Sequence, residues 1–280
     1  MKQTEDFRQE INVLASALES LSEADFEQVT LFKGWTINDV IGHLYMFDVA
    51  ALKSLESDTA FDQFFAPIAA LMGEGKTLLE TQYPWLDGLK GRALYEAWRK
   101  NANTVADSFS TTDPKKRLKW AGPDMSALSS VTARQMETWA HGQEIFDVLG
   151  KERQEGDRIR NIAHLGVNTF GWAFINRKLP VPNPAPYVRL VGPSGAVWEW
   201  NEPQADNAVS GQAVEFASVV TQVRGFQDTS LVATGPTASR WMEIAQCFAG
   251  PAETPPSKGQ RRIKSNVSAN NIAISQSRVS

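Results

Sequence analysis

Apolar residues recur every three or four positions through the first half of the chain, as they do along the buried face of an amphipathic helix. Thr36 followed by Asp39 has the spacing of a capping box, which predicts the start of one helix. Gly150 suits the left-handed residue that ends another. Long antiparallel helices joined by modest loops are typical of a four-helix bundle. The pattern predicts helices that begin at Thr4, Thr36, Asp58, Arg92 and either Ser126 or Ser129, and that end near Leu21, Ala51, Met72, Phe109 and Leu149.

The second half of the chain has a mixed pattern. The prolines from Pro180 to Pro186 exclude helix there. Two β-rich runs flank the turn sequence Pro193-Ser194-Gly195 and predict a hairpin. A small α+β domain with an antiparallel sheet is therefore expected. The pattern predicts, in order, a helix over 157–178, strands over 187–191 and 196–200, a helix over 211–223, a strand over 230–234 and a helix over 238–248.

These patterns divide the chain into three regions. Residues 1–155 are predicted to form the helix bundle and residues 156–250 the small α+β domain. From residue 251 the apolar periodicity is lost and Pro, Ser, Asn and Arg dominate, which predicts a disordered tail over 251–280. The predicted fold class is thus mainly α with an α+β C-terminal part.

Composition and charge exclude several classes of protein. The last thirty residues carry five of the 28 basic and one of the 32 acidic side chains, which leaves residues 1–250 with a net charge of −8. Such an acidic net charge over residues 1–250 disfavours binding to nucleic acid.

Cys247 is the only cysteine, which excludes intramolecular disulfides and cysteine-based zinc ribbons. The apolar stretch over residues 64–72 is far shorter than the ~20 residues of a membrane span. Because no signal peptide is recognisable, we expect a cytoplasmic protein without a membrane partner.

Three side chains of the helical half can converge on one metal ion. Glu137 and His141 lie four residues apart on the last predicted helix of the bundle, so they project from the same face. His43 shares a stripe with Val40 and Phe47 on the second helix and points into the bundle. Two imidazoles and a carboxylate with open positions suit a catalytic Zn²⁺ or a non-haem Fe²⁺ site. The alternative is that these are ordinary core side chains.

Two motifs around these residues resemble a known family. Residues 35–44 (WTINDVIGHL) are similar to the W-T-x-x-D-V-x-x-H-L opening of the DinB-like, mycothiol-dependent maleylpyruvate isomerase N-terminal domain. Residues 134–144 (RQMETWAHGQE) resemble its second motif, R-x-x-E-x-W-x-H-G-x-D/E. The resemblance implies a DinB-like four-helix bundle that holds a divalent metal through His43, Glu137 and His141. It favours Zn²⁺, with Fe²⁺ or Ni²⁺ as alternatives.

A fainter resemblance extends past the bundle. Members of the family often carry a small α+β domain similar to sterol carrier proteins. Residues 211–235 fit the layout of that domain. The sequence departs from it at Gly235-Pro236, where the family has Gly-Asp. The resemblance implies that an arginine of this domain contacts the substrate carboxylate, and Arg224 matches it best; the alternative is a surface cation at a helix end. His164 is a candidate base or substrate contact; the alternative is a histidine on the polar face of a packing helix. Glu144, one turn past His141, is a candidate for orienting an imidazole and is otherwise expected in solvent.

The resemblance also implies that a low-molecular-weight thiol participates, with the metal as its activator. Coordination deprotonates a thiol that is otherwise mostly protonated at neutral pH. We therefore expect a metal-dependent enzyme, either a thiol-assisted isomerase or a thiol transferase, that acts on a small carboxylate or acyl electrophile. A metal-dependent hydrolase or hydratase on the same ligands is the alternative reaction. The non-catalytic alternative is a metal-stabilised module that binds a small ligand.

Overall fold

A computed structural model describes residues 1–261 of the chain. Its N-terminal half is mainly helical, with a pair of very short antiparallel strands, β1 (Arg117–Leu118) and β2 (Met125–Ser126), between the last two helices of that half. No helix within residues 1–261 is both long enough and apolar enough to cross a bilayer. The helices of the N-terminal half are α1 (Lys2–Leu18), α2 (Ile37–Glu56), α3 (Asp58–Gly73), α4 (Leu78–Leu86), α5 (Gly91–Ser110) and α6 (Ala127–Leu149).

Local capping chemistry decides where the helices of the bundle begin and end. The Thr36 hydroxyl accepts from the backbone N–H of Asp39, as the capping box predicts for α2. Ser126 rather than Ser129 caps α6, and Gly150 ends that helix in the left-handed conformation with a φ of 62°. The prediction that the first helix begins at Thr4 is wrong, because the helix starts at Lys2.

The sequence pattern missed α4. This helix begins at a capping box of Thr77 and Glu80, but it has only nine residues and contains Pro84 in its second half. Proline ordinarily signals the end of a helix, so the pattern there predicted none. Both α3 and α4 pack on the outside of α2 rather than in the bundle.

Helices α1, α2, α5 and α6 form the predicted four-helix bundle. Each contributes fully buried apolar side chains to one core, for example Phe7, Leu44, Trp98 and Val131. Burial of such side chains stabilises the fold by roughly 1.5–3 kcal/mol each, an upper estimate because the unfolded chain is itself partly compact. This core fixes the separation of α2 and α6, the two helices that carry the candidate metal ligands.

The C-terminal half is an α+β unit built on a four-stranded sheet in the order β4-β3-β5-β6. The hairpin of β3 with β4 is confirmed, but the prediction of a wholly antiparallel sheet is wrong because β3 and β5 pair in parallel. The pattern missed β5, whose sequence AVSGQ has one strong strand former and runs directly into a helix. Its elements are α7 (Arg160–Asn168), α8 (Phe170–Ile175), β3 (Tyr187–Val191), β4 (Val197–Trp200), β5 (Ala208–Gln212), α9 (Ala213–Val220), β6 (Val232–Thr234) and α10 (Pro236–Ile244).

The single helix predicted over residues 157–178 is interrupted. A 3₁₀ turn at Asp157–Ile159 precedes α7, and Thr169 separates α7 from α8. The Thr169 hydroxyl donates to the carbonyl of Leu165. At the break, a side-chain hydroxyl therefore competes with backbone N–H groups for a helix carbonyl. On either side of the break, α7 packs on α6 and α9, and α8 packs on α10.

A second apolar core joins the α+β unit to the bundle. Val188 of β3, Phe216 of α9 and Trp241 of α10 are buried in it. Met136 and Trp139 of α6 belong to this core as well, although other residues of the same helix belong to the bundle core. Helix α6 is therefore packed on two sides by two different sets of apolar side chains.

The disordered tail predicted from residue 251 is wrong as far as residue 261. Residues 251–261 lie along the junction of the two cores and make specific contacts there. Lys33 Nζ donates to Glu253 at 2.9 Å, the backbone N–H of Gly259 donates to Asp228 at 2.9 Å, and Arg261 Nη1 donates to Glu144 at 2.7 Å. Sequence pattern could not indicate these contacts because each partner is distant along the chain. The rest of the predicted tail, residues 262–280, lies outside the described residues.

The close approach of α7 to α9 supplies a test of this packing. A Cβ added to Gly166 would lie 2.8 and 2.9 Å from the two γ-methyl groups of Val220, which cannot swing away because they sit on the Cβ atom. Gly166→Ala is expected to lower the free energy of unfolding by about 1–3 kcal/mol in denaturant titrations.

Gly73→Ala is the matched control for that substitution. Gly73 also lies in a helix, but nothing is within 4 Å of its added Cβ. Alanine there is expected to leave stability unchanged or to raise it by up to ~1 kcal/mol. Equal effects of the two substitutions would contradict the close contact between α7 and α9.

Candidate metal centre

The three side chains predicted as metal ligands come together between α2 and α6. His43 lies in the second turn of α2, whose start is fixed by the Thr36 cap. Glu137 and His141 lie one turn apart on α6 and face α2. Each of the three residues offers one ligand atom, and these atoms all lie within 4.8 Å of one another.

The separations of the donor atoms resemble those of a metal's coordination shell more than those of hydrogen bonds. Glu137 Oε2 lies 3.4 Å from His43 Nε2 and 3.3 Å from His141 Nε2. Hydrogen bonds between nitrogen and oxygen are ordinarily about 2.7–3.2 Å long. Two tetrahedral ligands, each about 2.0–2.1 Å from a zinc ion, lie about 3.3–3.4 Å apart. The separations of Glu137 Oε2 from the two imidazole nitrogens fall on that value.

Burial sets the charges of these groups. Burial lowers the pKa of His43 to about 4, so its imidazole is neutral at pH 7 and offers a lone pair. For Glu137, burial alone would raise the pKa, but the polar and charge interactions with the His141 and His43 imidazoles outweigh it and hold the pKa well below its usual range. The site therefore combines an ionised carboxylate with a neutral imidazole. His43 Nδ1 is buried without a hydrogen-bond partner among the described residues.

Aromatic rings surround the two imidazoles. The Trp35 ring lies parallel to His141 with its centroid 6.0 Å away and is also 5.5 Å from His43. Phe32 meets the His141 ring edge-on at 5.0 Å, and Phe47 lies 4.8 Å from His43. These rings keep water from most of the site. The side chain of Glu137 is 22% exposed, against 8% for His43, so the site opens to solvent on the side of the carboxylate.

A buried ion pair joins the two ligand-bearing helices. Arg134 on α6 donates from Nε to Asp48 on α2 at 2.9 Å, and both side chains are almost completely buried. Arg134 lies one turn before Glu137, and its guanidinium also stacks over the Phe47 ring at 5.9 Å. The sequence motif contains Arg134 without indicating its partner, because Asp48 is 86 positions away.

Glu144 is buried, contrary to the expectation that it lies in solvent. Its side chain is 2% exposed and pairs with Arg261, a residue in the segment predicted to be disordered. Burial raises the pKa of Glu144, with the charge of Arg261 acting in the opposite direction. The Arg261 guanidinium also lies over the Phe32 ring at 5.1 Å. No local sequence signal indicates that Arg261 belongs near the site.

Arg224, the predicted substrate contact, lies just after α9 with its guanidinium paired to α6. Its Nη2 donates to Asp147 Oδ1 at 2.7 Å, and Nη1 lies 2.7 Å from the other oxygen of the same carboxylate. Asp147 is 2% exposed and lies six residues past His141. The arginine therefore reaches the helix that carries two ligands, and its contact with a substrate stays a prediction.

His164 is placed apart from the three candidate ligands. It lies on α7, where Trp200 Nε1 donates to its Nδ1 at 3.1 Å and its Nε2 lies 2.9 Å from the Asn168 amide. Because Nδ1 accepts a hydrogen bond, the ring proton is on Nε2. The amide oxygen of Asn168, rather than its nitrogen, must then face that proton. Partial burial lowers the pKa of His164. The hydrogen bonds of this ring thus go to Trp200 and Asn168, and its role as a base stays a prediction.

Comparisons with known proteins agree with the motifs. The family model of the mycothiol maleylpyruvate isomerase N-terminal domain matches residues 7–146. Two uncharacterized proteins from two strains of Mycobacterium tuberculosis are each 36% identical over 246 residues, which cover 88% of this chain and 95% of theirs.

Two solved structures share the fold. They are crystal structures of the mycothiol-dependent maleylpyruvate isomerase and of a mutant in which a histidine is replaced by alanine. Each has a TM-score of 0.50 and 16% sequence identity, and the match covers 78% of this chain and 87% of the solved one. The expected bundle with an α+β unit is thereby confirmed as the maleylpyruvate isomerase fold. The chain belongs to the mycothiol maleylpyruvate isomerase N-terminal domain family.

Proposed function

We propose that this chain is a metal-dependent enzyme that uses a low-molecular-weight thiol to isomerise a small carboxylate or acyl electrophile, or to transfer the thiol to it. The observation that carries the proposal is the convergence of one ligand atom each from His43, Glu137 and His141 within 4.8 Å of one another. The family model and the two isomerase structures, both described as mycothiol-dependent, support the thiol.

The donor set fits a divalent cation. Two imidazole nitrogens and one carboxylate oxygen are the ligands of many catalytic zinc sites, which keep a further position for substrate. Glu137 supplies the negative charge, and burial keeps His43 neutral and able to donate its lone pair. We assign these three residues as the ligands and Zn²⁺ as the favoured ion, with Fe²⁺ or Ni²⁺ as alternatives.

The chain's own residues determine what can happen at such a site. A divalent cation held there supplies the positive charge that keeps a coordinated thiol in its nucleophilic thiolate form. Trp35, Phe32 and Phe47 exclude water from the imidazoles, so electrostatic interactions there are stronger than in solvent. Glu137 is the most exposed of the three side chains, so a thiol and an electrophile would approach the centre from its side. The Arg134–Asp48 pair holds α2 and α6 at the required separation.

Metal content is the first test of the proposed function. Wild-type protein is expected to bind one Zn²⁺ per chain, and His43→Ala or Glu137→Gln should weaken Zn²⁺ binding by about a hundredfold or more, since each removes a direct ligand. Competition with a chromophoric chelator measures the affinity, and circular dichroism verifies that each variant is folded. His164→Ala, which removes the third histidine, is the control expected to keep the affinity of the wild type. Unchanged zinc affinity in His43→Ala would refute the assigned centre.

Thiol recognition is the second test. In thermal-shift measurements with mycothiol, glutathione and cysteine, at least one thiol is expected to raise the Tm of the zinc-loaded protein, because a ligand that binds only the folded state stabilises it. Its S-methylated form should not, since the blocked sulfur cannot become a thiolate. His43→Ala should lose the shift. Equal shifts with free and S-methylated thiols would argue for a metal-dependent hydrolase or a binding module instead.

The stability of the metal-free protein should depend on pH through His43. Its folded-state pKa of about 4 lies below the unfolded value, so between pH 6.5 and 4 the unfolded chain binds more protons and stability falls as pH falls. Across that window the wild type should lose about 3 kcal/mol more than His43→Gln, which cannot titrate. Denaturant titrations at several pH values measure the difference. Parallel curves for the two proteins would show that His43 is not buried as a neutral group.

A further inference from the structure

Residues 254–261 form a strap that crosses the junction of the two cores. The strap contains no helix or strand, and Pro256 is the one buried residue within it. It lies against the α+β unit so closely that a Cβ added to Gly225 would overlap the carbonyl oxygen of Pro256. The strap therefore follows the surface of the fold while burying little of itself.

The strap starts from a fixed point at Glu253. The backbone N–H of Glu253 donates to the side chain of Gln246 at 3.0 Å, and its backbone carbonyl accepts a hydrogen bond from Arg177. Its carboxylate accepts from Lys33 Nζ at 2.9 Å. Because Lys33 belongs to the bundle and the other two residues to the α+β unit, Glu253 is held from both halves of the molecule. Movement of the strap would pivot on this residue.

Contacts of Gly259 and Arg261 hold the far end of the strap. The backbone N–H of Gly259 donates to Asp228 at 2.9 Å, and Arg261 Nη1 donates to Glu144 Oε1 at 2.7 Å. Arg261 Nε and Glu144 Oε2 are buried without a hydrogen-bond partner among the described residues. Buried polar atoms without partners are costly, and opening of the strap would expose both atoms to water. This reduces the free energy needed to release the far end.

Arg261 contacts a turn that covers the candidate centre. This cover turn, residues 30–35, is closed by a hydrogen bond from the backbone N–H of Trp35 to the carbonyl of Phe32 at 2.9 Å. The Phe32 ring meets the His141 ring edge-on at 5.0 Å, and Arg261 Cζ lies 5.1 Å from the centroid of the same Phe32 ring. The far end of the strap therefore contacts the ring that shields a candidate metal ligand.

We propose that the strap opens and closes over the cover turn and so controls access to His141. In the closed form, which the structure describes, Arg261 holds Phe32 beside the imidazole, and the His141 side chain is 13% exposed. In the open form Phe32 loses its contact with Arg261 and can turn away from the imidazole. Closure would keep water from a thiolate bound at the centre. That use of the strap rests on the proposed function, whereas the closure itself does not.

Chemical modification of the histidines tests the strap without a metal or a catalytic assay. Diethyl pyrocarbonate acylates neutral imidazoles, and peptide mass spectrometry follows each of the three histidines separately in the metal-free, full-length protein. Gly225→Ala displaces the strap at Pro256 without changing a strap residue or a candidate ligand. It is expected to raise the rate of His141 modification by about threefold or more. His164, which is exposed on α7, should keep its wild-type rate.

Gly259→Pro releases the strap from its far end and is the second variant. Proline has no backbone N–H to donate to Asp228, and it cannot adopt the φ of 76° found at Gly259. The substitution is expected to raise the modification rate of His141 as Gly225→Ala does. Circular dichroism and denaturant titrations verify that both variants are folded.

Two glycines in and after α3 supply matched controls. Gly73→Ala adds a Cβ with nothing within 4 Å of it, in contrast to Gly225→Ala. Gly75→Pro places proline at a φ of 87° and removes a backbone N–H that donates to the carbonyl of Met72 at 3.0 Å, which matches the change in Gly259→Pro. Both control variants should keep the wild-type rate of His141 modification.

The outcomes distinguish the strap from the proposed function. An unchanged rate at His141 in both strap variants would overturn the strap. A parallel rise at His164 would overturn it as well, because it would indicate loosening of the whole fold. Wild-type protein that binds no zinc would overturn the proposed function alone, since histidine modification is measured on the metal-free protein.

Discussion

The candidate site depends on the packing of α2 against α6. His43 is on one helix and Glu137 and His141 are on the other, so the distance between the helix axes decides whether the three donors can share an ion. The bundle core sets that distance from one side, and the buried Arg134–Asp48 pair joins the same two helices beside the donors. Loss of one partner of a buried pair is strongly destabilising, because it leaves the other charge without compensation.

Much of this arrangement follows from local sequence signals, and the rest depends on contacts between distant residues. The Thr36 cap fixes where α2 begins and therefore which way His43 faces. The four-residue spacing of Glu137 and His141 places both on one face of α6. The candidate donor set was therefore predictable from helical geometry. The strand β5 was not, because its sequence is weak in strand formers and its parallel partner β3 lies across a hairpin. Arg261 was not either, since nothing in the proline-containing segment over 251–261 indicates a buried partner on α6.

The two arginines near α6 show how similarity and packing contribute different information. A resemblance can suggest which residue type a family uses, as it does for Arg224. It cannot show whether a guanidinium has hydrogen-bonding capacity left, because that depends on partners such as Asp147 and Glu144, which are 77 and 117 positions away from the arginines they hold. Two acidic residues on successive turns of one helix thus hold two arginines that come from distant parts of the chain.

Helix α6 is shared by both apolar cores, and this has a consequence for the protein as a whole. Val131 and Ile145 are buried in the bundle core, whereas Met136 and Trp139, on either side of Glu137 in sequence, are buried in the core of the α+β unit. The two candidate ligands on this helix thus lie between the two halves of the molecule. Partial unfolding of either half would let α6 rotate and separate the candidate donors, so retention of a metal ion bound there would report on the integrity of the entire polypeptide.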